Sequence, residues 1–156
     1  DTTVIPRRGL FTAATAGELL SGADILIDGS DTNETRFAAN DAAVAAGIPL
    51  ERLIVDPGHD LNKNTVDTLE LTRRLDEVVA IGLPTLAAVS NKDFVGESID
   101  RVPGERLAGS LAAAVVCIMK GARIVRMHDV PASVDAVRMT EAILGMRPPA
   151  YTKHNV

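Results

Sequence analysis

Aromatic side chains are almost missing from this chain: they make up 3% of its 156 residues, with one tyrosine, three phenylalanines and no tryptophan. The hydrophobic residues, 46% of the total, are therefore mainly Ala, Val, Leu and Ile. That composition suits packed layers of helix and strand, is too apolar for disorder, and at this length can build one domain with a real core. Basic residues are also short, 16 Lys and Arg against 21 Asp and Glu, which leaves a net charge of −5. Nucleic acid is disfavoured as a main partner, because neutralising phosphates takes a basic face. The single cysteine, Cys117, excludes an internal disulfide and fits a reducing, cytoplasmic setting. No apolar run approaches a membrane span and no charged-then-apolar leader opens the chain, so no membrane partner is expected. No Gly-rich phosphate fingerprint of the G-x-G-x-x-G or Walker kind is present, which disfavours a nucleotide-binding sheet. The chain starts at Asp1 without a methionine, and a processed product or a piece of a longer protein is expected.

What the chain does have is a regular alternation of short aliphatic runs and amphipathic stretches. Residues 2–5, 23–28, 52–55, 85–89 and 123–127 read as strands, and 11–20, 35–46, 65–81, 105–120 and 134–144 as helices. Val66, Leu69, Leu71, Leu75, Val78 and Val79 give the helix at 65–81 an apolar side. Leu107, Leu111, Val115 and Ile118 do the same for 105–120. Cys117 and the methionines are expected in the core. From Arg147 onward, with Pro148 and Pro149, the tail reads as loose. The βα rhythm implies parallel strands with covering helices, either in an eight-fold barrel or in an open doubly wound sheet. In both, function collects at the carboxyl ends of strands.

Three of those ends carry distinctive polar groups. The run 85–89 stops at Ser90-Asn91-Lys92-Asp93-Phe94. Asn91 or Asp93 can cap a following helix, whereas Lys92 opposes the helix macrodipole there. Its partner is either an electron-rich ligand or plain solvent. Asp56, in Asp56-Pro57-Gly58, can accept two N–H groups from a flat heterocycle, or can serve as the acceptor of an Asx-turn. Arg126 and His128 alternate about Met127 and face one side of an extended strand. A planar guanidinium and an imidazole donor make an anion site, and Arg126 can also stack on an aromatic ligand. The alternatives are an Arg126–carboxylate pair and a satisfied core histidine. Asp129 is expected to cap the last helix, with Pro131 in its first turn. His59 and Asp60 read as turn residues, because with His128 and His154 they match no zinc spacing. No metal ligand is assigned.

Taken together, Asp56-Pro57-Gly58, Ser90-Asn91-Lys92, Arg106-Leu107-Ala108-Gly109-Ser110-Leu111-Ala112-Ala113-Ala114 and Arg126-Met127-His128-Asp129-Val130 resemble dihydropteroate synthase in order and spacing. The resemblance runs from about residue 48 to about residue 146. It implies an α/β fold of the (β/α)8 TIM-barrel type, with strands six to eight in residues 48–147, an amino-terminal βα segment at 1–47 and a tail at 148–156. About five βα units fall short of a closed barrel, so missing segments, a homodimer or a barrel-completing chain are expected. The reaction implied is condensation of 6-hydroxymethyl-7,8-dihydropterin diphosphate with p-aminobenzoate, giving 7,8-dihydropteroate and diphosphate for folate biosynthesis. Carried over by motif, Asp56 would hold the pterin edge and Lys92 would contact the ring. Arg126 would stack on the ring and, with His128, bind the diphosphate. Lys92, Arg126 and His128 form the implied catalytic set, and Ser90 and Asp93 join the substrate-binding set. Mg2+ is implied by resemblance alone, since the family's first-strand motif, with its asparagine ligand, is absent from the chain.

Two departures stand out. His59-Asp60-Leu61-Asn62-Lys63 replaces a Phe-Gly-rich turn, and Ser90-Asn91-Lys92-Asp93 replaces Ser-Arg-Lys-Ser. Asp93 would face the aminobenzoate carboxylate, a repulsion of about 4 kcal/mol at about 4 Å and a dielectric of about 20. That is roughly a thousandfold in affinity. These variants resemble a divergent paralogue, so a non-catalytic or altered-specificity pterin-binding protein is the alternative reading. A pterin-binding methyl transferase domain stands behind it.

Overall fold

The computed structural model describes residues 52–154, together with Thr12, residues 14–19, Asp41 and Pro49. The chain divides into two compact units, residues 1–53 and 54–156. In the first, α1 (Ala16–Leu19) falls inside the helix expected over 11–20. The Thr12 amide donates to the Thr15 hydroxyl just ahead of it, at 3.0 Å. The strands expected at 2–5 and 23–28 and the helix expected at 35–46 lie outside the described residues. Arg52, expected in a strand, instead sits in a turn, its amide donating to the Pro49 carbonyl at 2.9 Å.

The second unit is built on parallel strands. Val55 bridges Thr85, and β1 (Leu86–Ala87) pairs with β2 (Ile124–Val125), Leu86 opposite Ile124 and Ala87 opposite Val125. Both strands are shorter than expected. The ladder ends because the His128 amide takes the Ser90 hydroxyl, not a carbonyl, as its acceptor, at 3.1 Å. Ala87 and Val89 enter a core with Leu75, Phe94, Val95, Ala114, Cys117 and Ala122. Val125 and Met127 pack against that core, so Arg126 and His128 take the opposite face.

The helices that cover the sheet are α2 (Thr65–Arg73), α3 (Leu75–Val79), α4 (Asp93–Ile99), α5 (Leu107–Met119) and α6 (Val130–Ile143). The single helix expected over 65–81 is thus broken at Arg74. Its buried side in α2 is Thr68 and Thr72, while Val66 is 70% exposed. The Thr72 hydroxyl donates back to the Thr68 carbonyl at 2.8 Å, a bond that bends helices. Residues 93–99 form α4, the helix that Asn91 or Asp93 was expected to cap. In α5 the buried line is Ser110, Ala114 and Cys117, with the larger aliphatic residues flanking it. These small side chains allow a close approach to α4: a Cβ on Gly109 would lie 2.6 Å from Val95 Cγ1. Cys117 is core, as expected, and burial pushes its thiol up to about 11. Met127 packs on the core, whereas Met119, Met139 and Met146 are exposed at helix ends and outer faces. The last helix starts at Val130, ahead of the expected 134. Asp129 caps it by accepting from the Ala132 amide at 3.1 Å, and Pro131 has no N–H to leave unpaired in the first turn. Residues 148–154 carry no helix or strand and are exposed.

Candidate functional site

Because the strands run parallel, their carboxyl ends deliver the candidate residues to one end of the second unit. Ser90, nearly buried, joins two of those ends. Its hydroxyl accepts the His128 amide and lies 3.0 Å from His128 Nδ1. Lys92 is the N-cap residue of α4 and is half-buried, with extended backbone at φ −70° and ψ 156°. Neither its ammonium nor the exposed Arg126 guanidinium makes a hydrogen bond or ion pair with any described residue. Asp56 is exposed and forms an Asx-turn, Oδ1 accepting from the Gly58 amide at 2.9 Å. Gly58 takes the left-handed backbone, φ 70°, that this turn requires. The turn occupies one carboxylate oxygen, so it does not displace the ligand reading of the other.

Asp93, expected to set a like charge near the aminobenzoate carboxylate, is itself paired with a cation. Its Oδ1 pairs with Arg106 Nη1 at 2.8 Å, with the aspartate side chain 80% exposed and the arginine 10%. Neither Asn91 nor Asp93 caps α4. Asn91 has φ 56°, and its amide donates to the Ser110 hydroxyl at 3.0 Å. The Phe94 amide in the first turn of α4 donates instead to Asp60 Oδ2 at 3.2 Å.

Three residues with site roles were missed by sequence reasoning. Arg106 holds the whole lysine-bearing turn. Its Nη1 donates to the Asn91 and Lys92 carbonyls at 3.1 and 3.2 Å, and its Nε to the Arg101 carbonyl at 3.1 Å. The available signal was an arginine heading a helix of small residues, where a cation is buried only if its donors are satisfied. Gly96 permits it: a Cβ there would lie 2.3 Å from Arg106 Nε. His59 is 1% exposed, stacks on Phe94 with ring centroids 6.3 Å apart, and has no hydrogen-bond partner for either ring nitrogen among the described residues. Burial pushes its imidazole below the ordinary 6.5; Asp56 and Asp60 oppose this, and Lys63 and Lys92 reinforce it. Asp60, beside it, bonds Phe94 and Thr68 at once. Nothing local in a His-Asp pair announces such long-range partners.

A hollow of about 330 Å³ is lined by Ser90, Asn91, Gly104, Leu107, His128 and Asp129. Asp56, Lys92 and Arg126 share its end of the sheet but not its walls, so the described residues do not enclose all four charged candidates in one cavity. A second hollow of about 290 Å³, walled by Val125, Met127, Val134 and Val137, lies beneath α6 and holds none of them. Among the described residues no three His, Cys, Asp or Glu side chains lie close enough to hold a metal ion.

Residues 30–128 match the family model described as pterin binding enzyme. The chain is 45% identical over 115 residues to "Inactive dihydropteroate synthase 2" of Mycobacterium leprae, covering 74% of this chain and 40% of that protein. It is 43% identical over 102 residues to the dihydropteroate synthase of Escherichia coli K12, covering 65% and 36%. A dihydropteroate synthase from Coxiella burnetii, solved in complex with pteroic acid, superposes with a TM-score of 0.65 at 34% identity, covering 72% of this chain and 42% of that one. The chain thus spans about two fifths of the length of these curated relatives. With more than half of its residues inside the family model and its parallel βα units superposing on a solved synthase, this chain belongs to the pterin-binding enzyme family.

Proposed function

We propose that this chain forms the pterin-diphosphate side of a dihydropteroate synthase-type site in a (β/α)8 barrel, closed by further segments or by a second chain. The observation that carries this reading is the set of cations at one sheet end. Lys92 and Arg126 make no bond with a described residue, and beside them stands a histidine oriented by Ser90. Two unneutralised cations call for an anionic or electron-rich ligand.

In the reaction, the amine nitrogen of p-aminobenzoate bonds to the pterin methylene carbon. The carbon–oxygen bond to diphosphate breaks, with its electron pair leaving on oxygen, and the amine gives up a proton. Asp56 would accept from the pterin N–H edge with its remaining oxygen, and Lys92 would contact the ring. Arg126 would stack on the ring and share the diphosphate with His128. Most of the catalysis would then be stabilisation of the departing charge by prearranged donors. The described residues do not supply a donor cluster for Mg2+, so no step is assigned to it.

A second reading, a non-catalytic paralogue, is favoured by Asp93 beside the lysine and by the identity to a relative named inactive. Calorimetry with the dihydropterin diphosphate, followed by chromatography for dihydropteroate after adding p-aminobenzoate, separates the two. Heat with product supports the synthase. Heat without product, together with aminobenzoate binding that improves about tenfold in Asp93→Ser, supports the paralogue; the gain is modest because Asp93 is exposed and already paired. No heat from the pterin diphosphate sinks both.

A further inference from the structure

We infer that Asp60 is a positioning residue for Lys92: it caps the helix that Lys92 begins, in place of the lysine, and so fixes the turn that presents the ammonium. An N-cap residue ordinarily accepts a hydrogen bond from an amide of the first turn through its own side-chain oxygen. Lys92 occupies that place in α4 and has donors only. The Phe94 amide is nevertheless satisfied, by Asp60 Oδ2 from 34 residues upstream.

The carboxylate is tied at its other end as well. Thr68, fully buried in α2, donates its hydroxyl to Asp60 Oδ1 at 3.1 Å. Asp60 itself has φ 61°, a backbone open to Gly, Asn and Asp. An independent contact runs alongside, the His59 ring stacked on Phe94. The turn that carries Asp56 and the turn that carries Lys92 are therefore joined twice. The Asp60 carboxylate sits at the first turn of the helix, where the helix dipole favours a negative charge. The lysine side chain, relieved of capping, is left for a ligand. Only the choice of ligand rests on the function proposed above.

The test uses the full chain with Asp60→Gly, which keeps the left-handed backbone and removes the carboxylate, and Asp60→Asn, which keeps both the backbone and an acceptor oxygen. In Asp60→Gly, exchange of the Phe94 amide should accelerate about tenfold relative to amides of α5, the size expected for losing one cap. The Lys92 side-chain resonance should shift, and affinity for the dihydropterin diphosphate should fall about tenfold. Asp60→Asn should restore all three towards wild type. A folded Asp60→Gly variant with unchanged Phe94 exchange and an unchanged Lys92 resonance overturns the inference. If that variant does not fold, the wild type decides. A protected Phe94 amide whose proton shift follows titration of the Asp60 carboxyl supports the inference, and an unprotected one overturns it. Expected exchange behaviour without pterin diphosphate binding in any form would remove the ligand and leave the positioning role standing.

Discussion

A hydroxyl that already accepts one hydrogen bond still has its own proton to give. Ser90 accepts the His128 amide at 3.1 Å, so its proton is available to Nδ1, 3.0 Å away. Where the hydroxyl gives that proton to Nδ1, an imidazole with its hydrogen on Nε2 presents a donor suited to an anion. Replacing Ser90 by Ala should leave a mixture of tautomers, visible in the nitrogen-15 shifts of the ring, and weaken diphosphate binding about tenfold. His59 is the opposite case, a ring with no hydrogen-bond partner among the described residues. As pH falls through 6.5 the unfolded chain takes up a proton that the buried ring in the folded chain refuses. This contribution to stability is therefore complete above 6.5 and is lost progressively below it. Urea midpoints measured from about pH 7.5 down to about 5.5 should show that decline, and His59→Phe should flatten it while keeping a ring against Phe94.

Among elements, the tightest dependence is that of α4 on Arg106. The guanidinium passes so close over Gly96 that an added Cβ would meet Nε at 2.3 Å, and four hydrogen bonds hold it in place. Gly96→Ala should lower stability by about 1–3 kcal/mol, read as a reduced urea midpoint at unchanged slope. The same elements show how far the residues alone could be read. The cap of α6 was visible in Asp129-Val130-Pro131, because its partner lies three residues away, although the helix itself was expected to begin only at 134. The parallel strand directions were visible in the aliphatic runs. The break at Arg74 was not, because an apolar stripe ignores the hydroxyl-to-carbonyl bond between buried threonines; of that stripe Leu69, Leu75 and Val78 do meet the core, and Val66 does not. Nor was the cap of α4, which comes from a residue remote in the chain.

For the molecule as a whole, the resemblance from 48 to 146 and the family match over 30–128 overlap across the segments that carry Asp56, Lys92, Arg126 and His128. Motif spacing put Asp56, Lys92, Arg126 and His128 in the segments that leave the carboxyl ends of the parallel strands. It could not supply Arg106, Asp60 or the buried His59, whose roles are created only when distant turns meet. The grip of Arg106 has one more consequence. Three of its acceptors are main-chain carbonyls, present whatever side chains the turn carries, and only the fourth belongs to Asp93. Position 93 is thus open to mutational drift while the scaffold under it endures. A lineage could retune the charge next to the lysine in one step, gaining or surrendering a co-substrate without having to reinvent the fold.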